Sequence, residues 1–207
     1  MKVLLFNGSP HKDGNTATAL AEVARALEAE GVETETIQVG GEEVRGCIAC
    51  GKCADNDHRC IFDDIINEAL DKAETADGFI FGSPVYYASP NGTMISFMDR
   101  LFYAGSQYFA YKPGACVAVA RRGGTTASYD VLNKYLGISN MVQIGANYWN
   151  QVHGRLPGEA AQDLEGMQTM RILGKNMAWM LKLIENGKSS GIEHPTPEPK
   201  QMFNFIR

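Results

Sequence analysis

Four of the chain's five cysteines lie in one short segment, GCIACGKCADNDHRC. They are Cys47, Cys50, Cys53 and Cys60, with two, two and six residues between successive members. Structural zinc sites usually pair two short cysteine knuckles that a dozen or more residues separate. A compact triplet with a fourth cysteine soon after it instead suits an iron–sulfur cluster, which needs four thiolates around one small object. The spacing favours one 4Fe-4S cluster, with zinc and free or oxidised thiols as alternatives.

Two structural disulfides would also use four cysteines, but size and location count against them. A chain of 207 residues with 44% hydrophobic residues can bury a core without covalent cross-links. The N-terminal MKVLLFNGSP has no long apolar run and no small-residue cleavage site, which predicts a buried first strand rather than a signal peptide. No stretch is long and apolar enough to span a bilayer. We therefore expect a cytoplasmic protein, whose thiols stay reduced.

Charge and residue types exclude further classes of function. The formal net charge of -5 predicts no strong attraction to nucleic acid or to an anionic membrane. No Ser/His/Asp set and no paired carboxylate site is evident in the sequence, so no side chain is assigned as a catalytic acid, base or nucleophile. Cys116 lies in an apolar segment, which predicts a small buried hydrophobic residue.

The elements that must position these residues alternate between strand-like and helix-like segments. The predicted strands are residues 2–6, 32–39, 78–86, 115–124 and 141–149, and the predicted helices are residues 16–31, 62–76, 91–105, 125–137 and 162–188. This alternation predicts an α/β fold with a mostly parallel sheet and helices on both faces. The second segment, VETETIQV, alternates polar and apolar residues, as a half-exposed edge strand does.

The loop GSPHKDGNTATAL joins the first predicted strand to the first predicted helix. In an open parallel sheet, ligands bind beyond the carboxyl ends of the strands, where this loop should lie. Its small hydrogen-bonding side chains and the free amides of the helix start suit a bound phosphate. The residues assigned to that role are Ser9, His11, Gly14, Asn15 and Thr16. The alternative is a plain turn in which Asn15 caps the helix.

Two further loops should leave the sheet at the same edge. GSPVYYASPNGTM offers a stiff and aromatic surface for a flat ring through Pro84, Val85, Tyr86 and Tyr87. In ARRGGTT, bare backbone can meet the polar edge of that ring, and Arg121 and Arg122 can stabilise negative charge on it. The residues assigned to the site from this loop are Arg122, Gly123 and Gly124. The three loops together predict a site for FMN. The alternatives are core or interface packing for the tyrosines and a solvated strand end for the arginines.

The stretches GSPHKDGNT, GSPVYYASPNGTMISFMDR and RRGG resemble the NADPH-dependent FMN reductase family, and the cysteine run resembles that of its iron–sulfur flavoprotein subgroup. The resemblance implies a flavodoxin-like, doubly wound sheet of five parallel strands in the order 2-1-3-4-5, with helices on both faces and one FMN. It implies an FMN-binding domain over residues 1–188 with a cysteine-rich insertion at 46–61. It further implies a homodimer or homotetramer, in which we expect the tail, residues 189–207, to dock at a contact between subunits.

These features predict an FMN-dependent oxidoreductase that passes electrons between NAD(P)H or a reduced carrier, FMN, a 4Fe-4S cluster and a small-molecule acceptor. The flavin N5 is then the expected reactive centre. One alternative is a cluster-free NAD(P)H-dependent FMN or quinone reductase. Another is an electron carrier that takes electrons from a ferredoxin-like donor and has no nicotinamide site, and a third is a flavin-binding redox sensor.

Overall fold

Residues 1–205 are described by a computed structural model, in which strands and helices alternate along the chain. The strands are β1 (Lys2–Asn7), β2 (Glu33–Gln38), β3 (Gly78–Tyr86), β4 (Ser89–Pro90), β5 (Pro113–Ala120), β6 (Val142–Gln143) and β7 (Gln151–His153). The helices are α1 (Asn15–Ala29), α2 (Ile65–Thr75), α3 (Gly92–Phe109), α4 (Thr125–Ile138) and α5 (Leu164–Ser189). Within residues 1–205, none of these helices has both the length and the apolar character needed to cross a membrane.

The main sheet has the strand order β2-β1-β3-β5-β6, and its neighbouring strands are all parallel. Without the two-residue β4, which pairs antiparallel with the end of β3, this is the predicted order 2-1-3-4-5. Such a sheet reverses its winding next to β1, so the loops after β1 and β3 meet at the switch point where ligands bind. β2 lies at the edge and is partly exposed along its length, which confirms the prediction of an edge strand.

The prediction of a single fifth strand over residues 141–149 is wrong. Only β6 pairs there, with the start of β5, and the chain rejoins β5 as β7 after a loop. Asn150 closes this loop, because its buried side-chain amide donates to the Ile144 carbonyl (3.3 Å) and its own carbonyl accepts from Ala118 N (3.0 Å). Tyr148 and Trp149 consequently lie in this loop and are exposed. The detour delivers residues 154–157 to the carboxyl edge of the sheet.

Both faces of the sheet are covered by hydrophobic cores. Alternate residues of β1 face opposite sides, so Leu4 and Phe6 pack with α2, α3 and α4, whereas Val3 and Leu5 pack with α1 and α5. These four side chains are fully buried, as expected for a parallel strand between two layers of helices. The two cores fix the strand ends, and hence the loops that follow them.

The chain after α5 has no further helix or strand up to residue 205. His194 stacks on Tyr111 with 4.5 Å between ring centroids, which holds the start of this tail against the protein. Phe203 and Phe205 are both exposed and contact each other edge to face. The proposed docking role of residues 189–207 stays a prediction, and Ile206 and Arg207 lie outside the described residues.

Candidate active site

The loop after β1 is held in place by side chains from three other places in the chain. Asn7 accepts a hydrogen bond from Ser9 N (3.0 Å), and Gln38 on β2 donates to Ser9 O (2.6 Å). Asn91, just before α3, donates to Gly8 O (2.6 Å). Because these bonds satisfy the loop's backbone, it keeps one conformation at the carboxyl end of β1.

Gly40, just after β2, approaches this loop too closely for any other residue. A Cβ atom there would lie 2.2 Å from Gly8 O and 2.2 Å from the Ser9 carbonyl carbon. Gly40 N and Val39 N both donate to Asn7 O, which fixes the approach. The shape of the predicted phosphate loop therefore depends on a glycine outside it.

Helix α1 begins at Asn15, and its N-cap is Gly14, which has no side chain that could accept from the first-turn amides. The alternative in which Asn15 caps the helix is therefore wrong. Asn15 Oδ1 instead accepts from Ala160 N (3.0 Å), and Thr16 is buried beside it. Free amides at a helix N-terminus, with the positive end of the helix dipole, form a ready site for a phosphate.

A cavity of about 600 Å³ lies between this loop, the ends of β3 and β5, and the residues that follow β7. Eight of the twelve residues predicted to bind FMN line it: Ser9, His11, Gly14, Asn15, Thr16, Pro84, Val85 and Tyr86. Three cationic side chains, Lys12, Arg121 and Arg155, share the lining with the carboxylate of Asp13. The lining thus combines the N-terminus of α1 and three cations with aromatic and apolar side chains, which suits an anionic ligand with a flat ring.

The other four predicted residues lie outside this lining. Tyr87 is fully exposed, with a left-handed backbone (φ 51°), and Arg122 and Gly123 are exposed as well. Gly124 is the N-cap of α4 at φ 94° and packs on Ala88, since a Cβ atom there would lie 2.6 Å from Ala88 Cα. Of the two neighbouring arginines, Arg121 rather than Arg122 lines the cavity.

Sequence reasoning missed the contribution of the segment after β7, which supplies Gly154, Arg155 and Pro157 to the cavity. β7 is parallel to β5, so its carboxyl end meets the same edge. His153 anchors this segment, because its backbone N donates to Asp163 (2.7 Å) and its ring Nε2 lies 3.1 Å from Arg122 O. The signal in the sequence was Gly154 followed directly by Arg155, but the strand that precedes them, β7, was not predicted.

All four clustered cysteines line a second, smaller cavity against α3, together with Arg100, Tyr103 and Ala104. Cys47 and Cys50 are exposed, Cys53 and Cys60 are half-buried, and all four are free thiols. Within residues 1–205, no three His, Cys, Asp or Glu side chains are close enough together to hold a metal ion, so the sulfurs would have to move closer to share one. Four thiols around one cavity are nevertheless the donor set that a 4Fe-4S cluster requires, and in this sense the residues fit it.

The fifth cysteine is of a different kind. Cys116 lies in β5 and is fully buried among apolar side chains, as predicted. Burial raises the pKa of the Cys116 thiol far above its ordinary value, because the thiolate would lose its hydration. This sulfur is therefore protonated in the folded protein and takes no part in the cysteine cavity.

Comparisons with known proteins agree with this geometry. The chain is 36% identical over 194 residues to an iron–sulfur flavoprotein of Methanocaldococcus jannaschii, an alignment that covers 89% of this chain and all of the relative. It is 31% identical over 192 residues to an iron–sulfur flavoprotein of Methanosarcina thermophila, covering 91% of this chain and 99% of the relative. An archaeal flavodoxin structure superposes with a TM-score of 0.59 at 16% identity, covering 88% of this chain and 99% of the flavodoxin.

The flavodoxin match establishes the fold, since its identity is too low to carry more. The family model described as NADPH-dependent FMN reductase matches residues 1–155, which include the phosphate loop, the cysteine segment and all of the main sheet. The chain therefore belongs to the NADPH-dependent FMN reductase family of flavin oxidoreductases.

Proposed function

We propose that this protein is an oxidoreductase of the iron–sulfur flavoprotein type, which passes electrons between NAD(P)H or a reduced carrier and a small-molecule acceptor by means of FMN and one 4Fe-4S cluster. The observation that carries the proposal is that all four clustered cysteines line one cavity on α3, the helix that starts beside the phosphate loop. Two relatives called iron–sulfur flavoproteins, aligned over nine-tenths of the chain, support it.

In this proposal, the residues of the larger cavity bind and orient FMN. The free amides of α1, with Ser9 and Thr16, would bind the terminal phosphate, and Lys12 and Arg121 would compensate negative charge on the flavin nucleotide. Pro84, Val85 and Tyr86 would supply the wall for the flavin ring. A nicotinamide or a small acceptor would have to reach the flavin through the solvent-facing side of the cavity.

Cys47, Cys50, Cys53 and Cys60 would supply the four thiolates for the cluster. When bound, FMN supplies hydride chemistry and the cluster supplies one-electron transfer, so that a protein holding both can convert two-electron input into one-electron output. The role of the chain in this proposal is to hold the two sites at a fixed separation, with the cysteine site packed against α3.

The test is anaerobic reconstitution with iron and sulfide of the wild type, of Cys53→Ala and of Cys116→Ala. Iron, sulfide and visible absorbance are measured before and after addition of NADPH. We expect about four irons per chain in the wild type and in Cys116→Ala, whose deleted thiol is buried in β5, and clearly fewer in Cys53→Ala. If the wild type holds only stray iron, the cluster is absent and the protein is a cluster-free flavin reductase.

That cluster-free NAD(P)H-dependent FMN or quinone reductase is the second candidate, favoured by the exposure of Cys47 and Cys50 and by the separation of the sulfurs. The same experiment distinguishes it, because NADPH would bleach the flavin absorbance without any iron in the protein. If iron is bound but NADPH leaves the flavin oxidised, a ferredoxin-like donor becomes the electron source.

A further inference from the structure

Cys60 is fixed to α2 through both of its backbone polar groups. Cys60 N donates to Asn67 Oδ1 (2.9 Å), and Asn67 Nδ2 donates back to Cys60 O (3.0 Å) and also to Phe62 O (3.0 Å). Asn67 is itself buried on α2. This reciprocal pair fixes the main chain of Cys60 before any metal binds.

The sulfur of Cys60 is held from the opposite side by Arg100 on α3. Arg100 Nε and Nη2 donate to Cys60 Sγ at 3.3 and 3.1 Å. The remaining donors reach both carboxylate oxygens of Asp64 (2.7 and 3.0 Å) and Arg45 O (3.4 Å). A guanidinium has five N–H groups, and these five hydrogen bonds give each group an acceptor. Two of the five converge on the Cys60 sulfur.

The surroundings strengthen these two hydrogen bonds. The Arg100 side chain is only 1% exposed, and the Phe62 ring covers it with 5.0 Å between guanidinium carbon and ring centroid. Asp64, which also caps α2, compensates the buried charge. Burial opposes the charged form, but the hydrogen bonds to Asp64 and Cys60 outweigh it and raise the pKa of Arg100. Hydrogen bonds shielded from water in this way are electrostatically stronger than exposed ones.

The other clustered cysteines lack such a partner among the described residues. Cys47 Sγ accepts from a backbone amide, Ala49 N (3.4 Å), and Cys53 Sγ faces the Tyr103 carbonyl (3.7 Å). Cys60 is therefore the one cysteine of the four whose sulfur a described cationic side chain contacts. This asymmetry assigns it a separate role.

We propose that Arg100 is a positioning residue that presents Cys60 to the cluster and raises the cluster's reduction potential. The inference rests on the function proposed above. Reduction adds negative charge to the cluster and its sulfur ligands, and hydrogen bonds to those sulfurs stabilise the added charge. Arg100 thus favours electron transfer into the cluster, with Asp64 and Asn67 keeping the guanidinium and the ligand in register.

The test uses a variant that removes the donors without leaving a buried, unpaired carboxylate. In Arg100→Met with Asp64→Asn, both partners of the ion pair become neutral, the net charge is unchanged, and the amide introduced at position 64 can still cap α2. Arg59→Gln is the matched control, because Arg59 precedes Cys60 in sequence and pairs with Asp71 instead of a sulfur. Each protein is reconstituted anaerobically, and the potential of the cluster is measured by equilibrium redox titration followed by electron paramagnetic resonance.

We expect the double variant to lower the equilibrium constant for reduction at least tenfold, which is about 59 mV for one electron. Arg59→Gln should change it less than threefold. If the double variant has a normal iron content and an unchanged cluster potential, the role of Arg100 is overturned but the proposed function is not. No iron in the wild type would overturn it together with the proposed function. If the double variant fails to fold, Arg100→Lys replaces it. Lysine keeps the charge but cannot donate two hydrogen bonds to the sulfur in the same fork, so the cluster potential should again fall.

Discussion

Burial separates the five cysteines into two kinds with different chemistry. Cys116 is sealed in β5, whereas Cys47 and Cys50 are exposed and can accept a ligand or an oxidant. The apolar run around Cys116 made its burial predictable from sequence. The role of Arg100 was not predictable, because its partners Cys60 and Asp64 are 40 and 36 residues away in the chain.

The raised pKa of the Cys116 thiol predicts a loss of stability at alkaline pH. Below about pH 8.5 the Cys116 thiol is protonated in both the folded and the unfolded state. Above that pH the thiol ionises only in the unfolded state, and the free energy of unfolding falls by about 1.4 kcal/mol per pH unit. Stability should therefore fall by about 2 kcal/mol from this group by pH 10. Urea unfolding at pH 7.5 and 10 should show a smaller decline for Cys116→Ala than for the wild type, and equal declines would contradict the assignment.

The two adjacent arginines should differ in their effect on flavin binding. Arg121 lines the larger cavity and Arg122 is exposed outside it. Losing a contact to a charged phosphate or to the polar ring edge costs roughly 1.5–3 kcal/mol, so Arg121→Ala should raise the Kd for FMN about tenfold or more. Arg122→Ala serves as the control and should leave it nearly unchanged, as measured by quenching of flavin fluorescence. If Arg122→Ala instead weakened FMN binding more than Arg121→Ala, the flavin ring would have to lie on the side of the loop where Arg122 lies.

Among the elements, those with a clear hydrophobic period were predictable and the fifth strand was not. The segment 78–86 was predicted with its exact bounds, because GFIFGSPVY is apolar and bounded by loop residues. The segment 141–149 has apolar residues too, but Asn150 closes the loop with its side-chain bond to Ile144 O and joins it to β5 with its backbone bond to Ala118, and no periodicity reveals either bond. The same failure hid Gly154 and Arg155 from the predicted site.

The contact between the end of β2 and the phosphate loop can be tested with a glycine pair. Gly40→Ala would push the backbone at Gly8 and Ser9 out of place, whereas a Cβ atom on Gly41 has nothing within 4 Å. Overpacking of this kind typically costs about 1–3 kcal/mol. We expect Gly40→Ala to lower the unfolding free energy by about that amount and to weaken FMN binding, with Gly41→Ala close to the wild type. Equal FMN affinity in both variants would show that the loop adapts.

At the scale of the whole molecule, apolar surface is left uncovered on one chain. Leu164, Trp179 and Leu183 on α5 are exposed, as are Phe203 and Phe205 in the tail. Large exposed apolar side chains of this kind are found on surfaces that bind another protein. The parallel sheet and both helical layers followed from the alternation of segments, and the strand order followed from the family resemblance, but nothing in a single sequence shows which surfaces meet a second copy.

We predict that this surface joins copies of the chain in a homodimer or homotetramer. Light scattering at micromolar concentration should give at least twice the mass of one chain, 22.6 kDa. Replacing both tail phenylalanines with serine (Phe203→Ser with Phe205→Ser) should shift the population toward monomer, because it removes the tail's apolar contact. A monomeric wild type would contradict the prediction, and an unchanged mass in the variant would exclude the tail from the interface.

Helix α3 connects the two candidate sites, and this has a consequence for local unfolding. Asn91 at its start bonds the phosphate loop, and Arg100 bonds Cys60 nine residues later, about 13 Å along the axis. The helical backbone is interrupted only at Gly105, which has φ -120° and ψ 30°, so fraying from the far end can stop there without reaching Arg100. We therefore predict that residues 92–104 open as one cooperative unit. Binding of FMN alone should slow amide hydrogen exchange along this whole segment, including the turn that faces the cysteines.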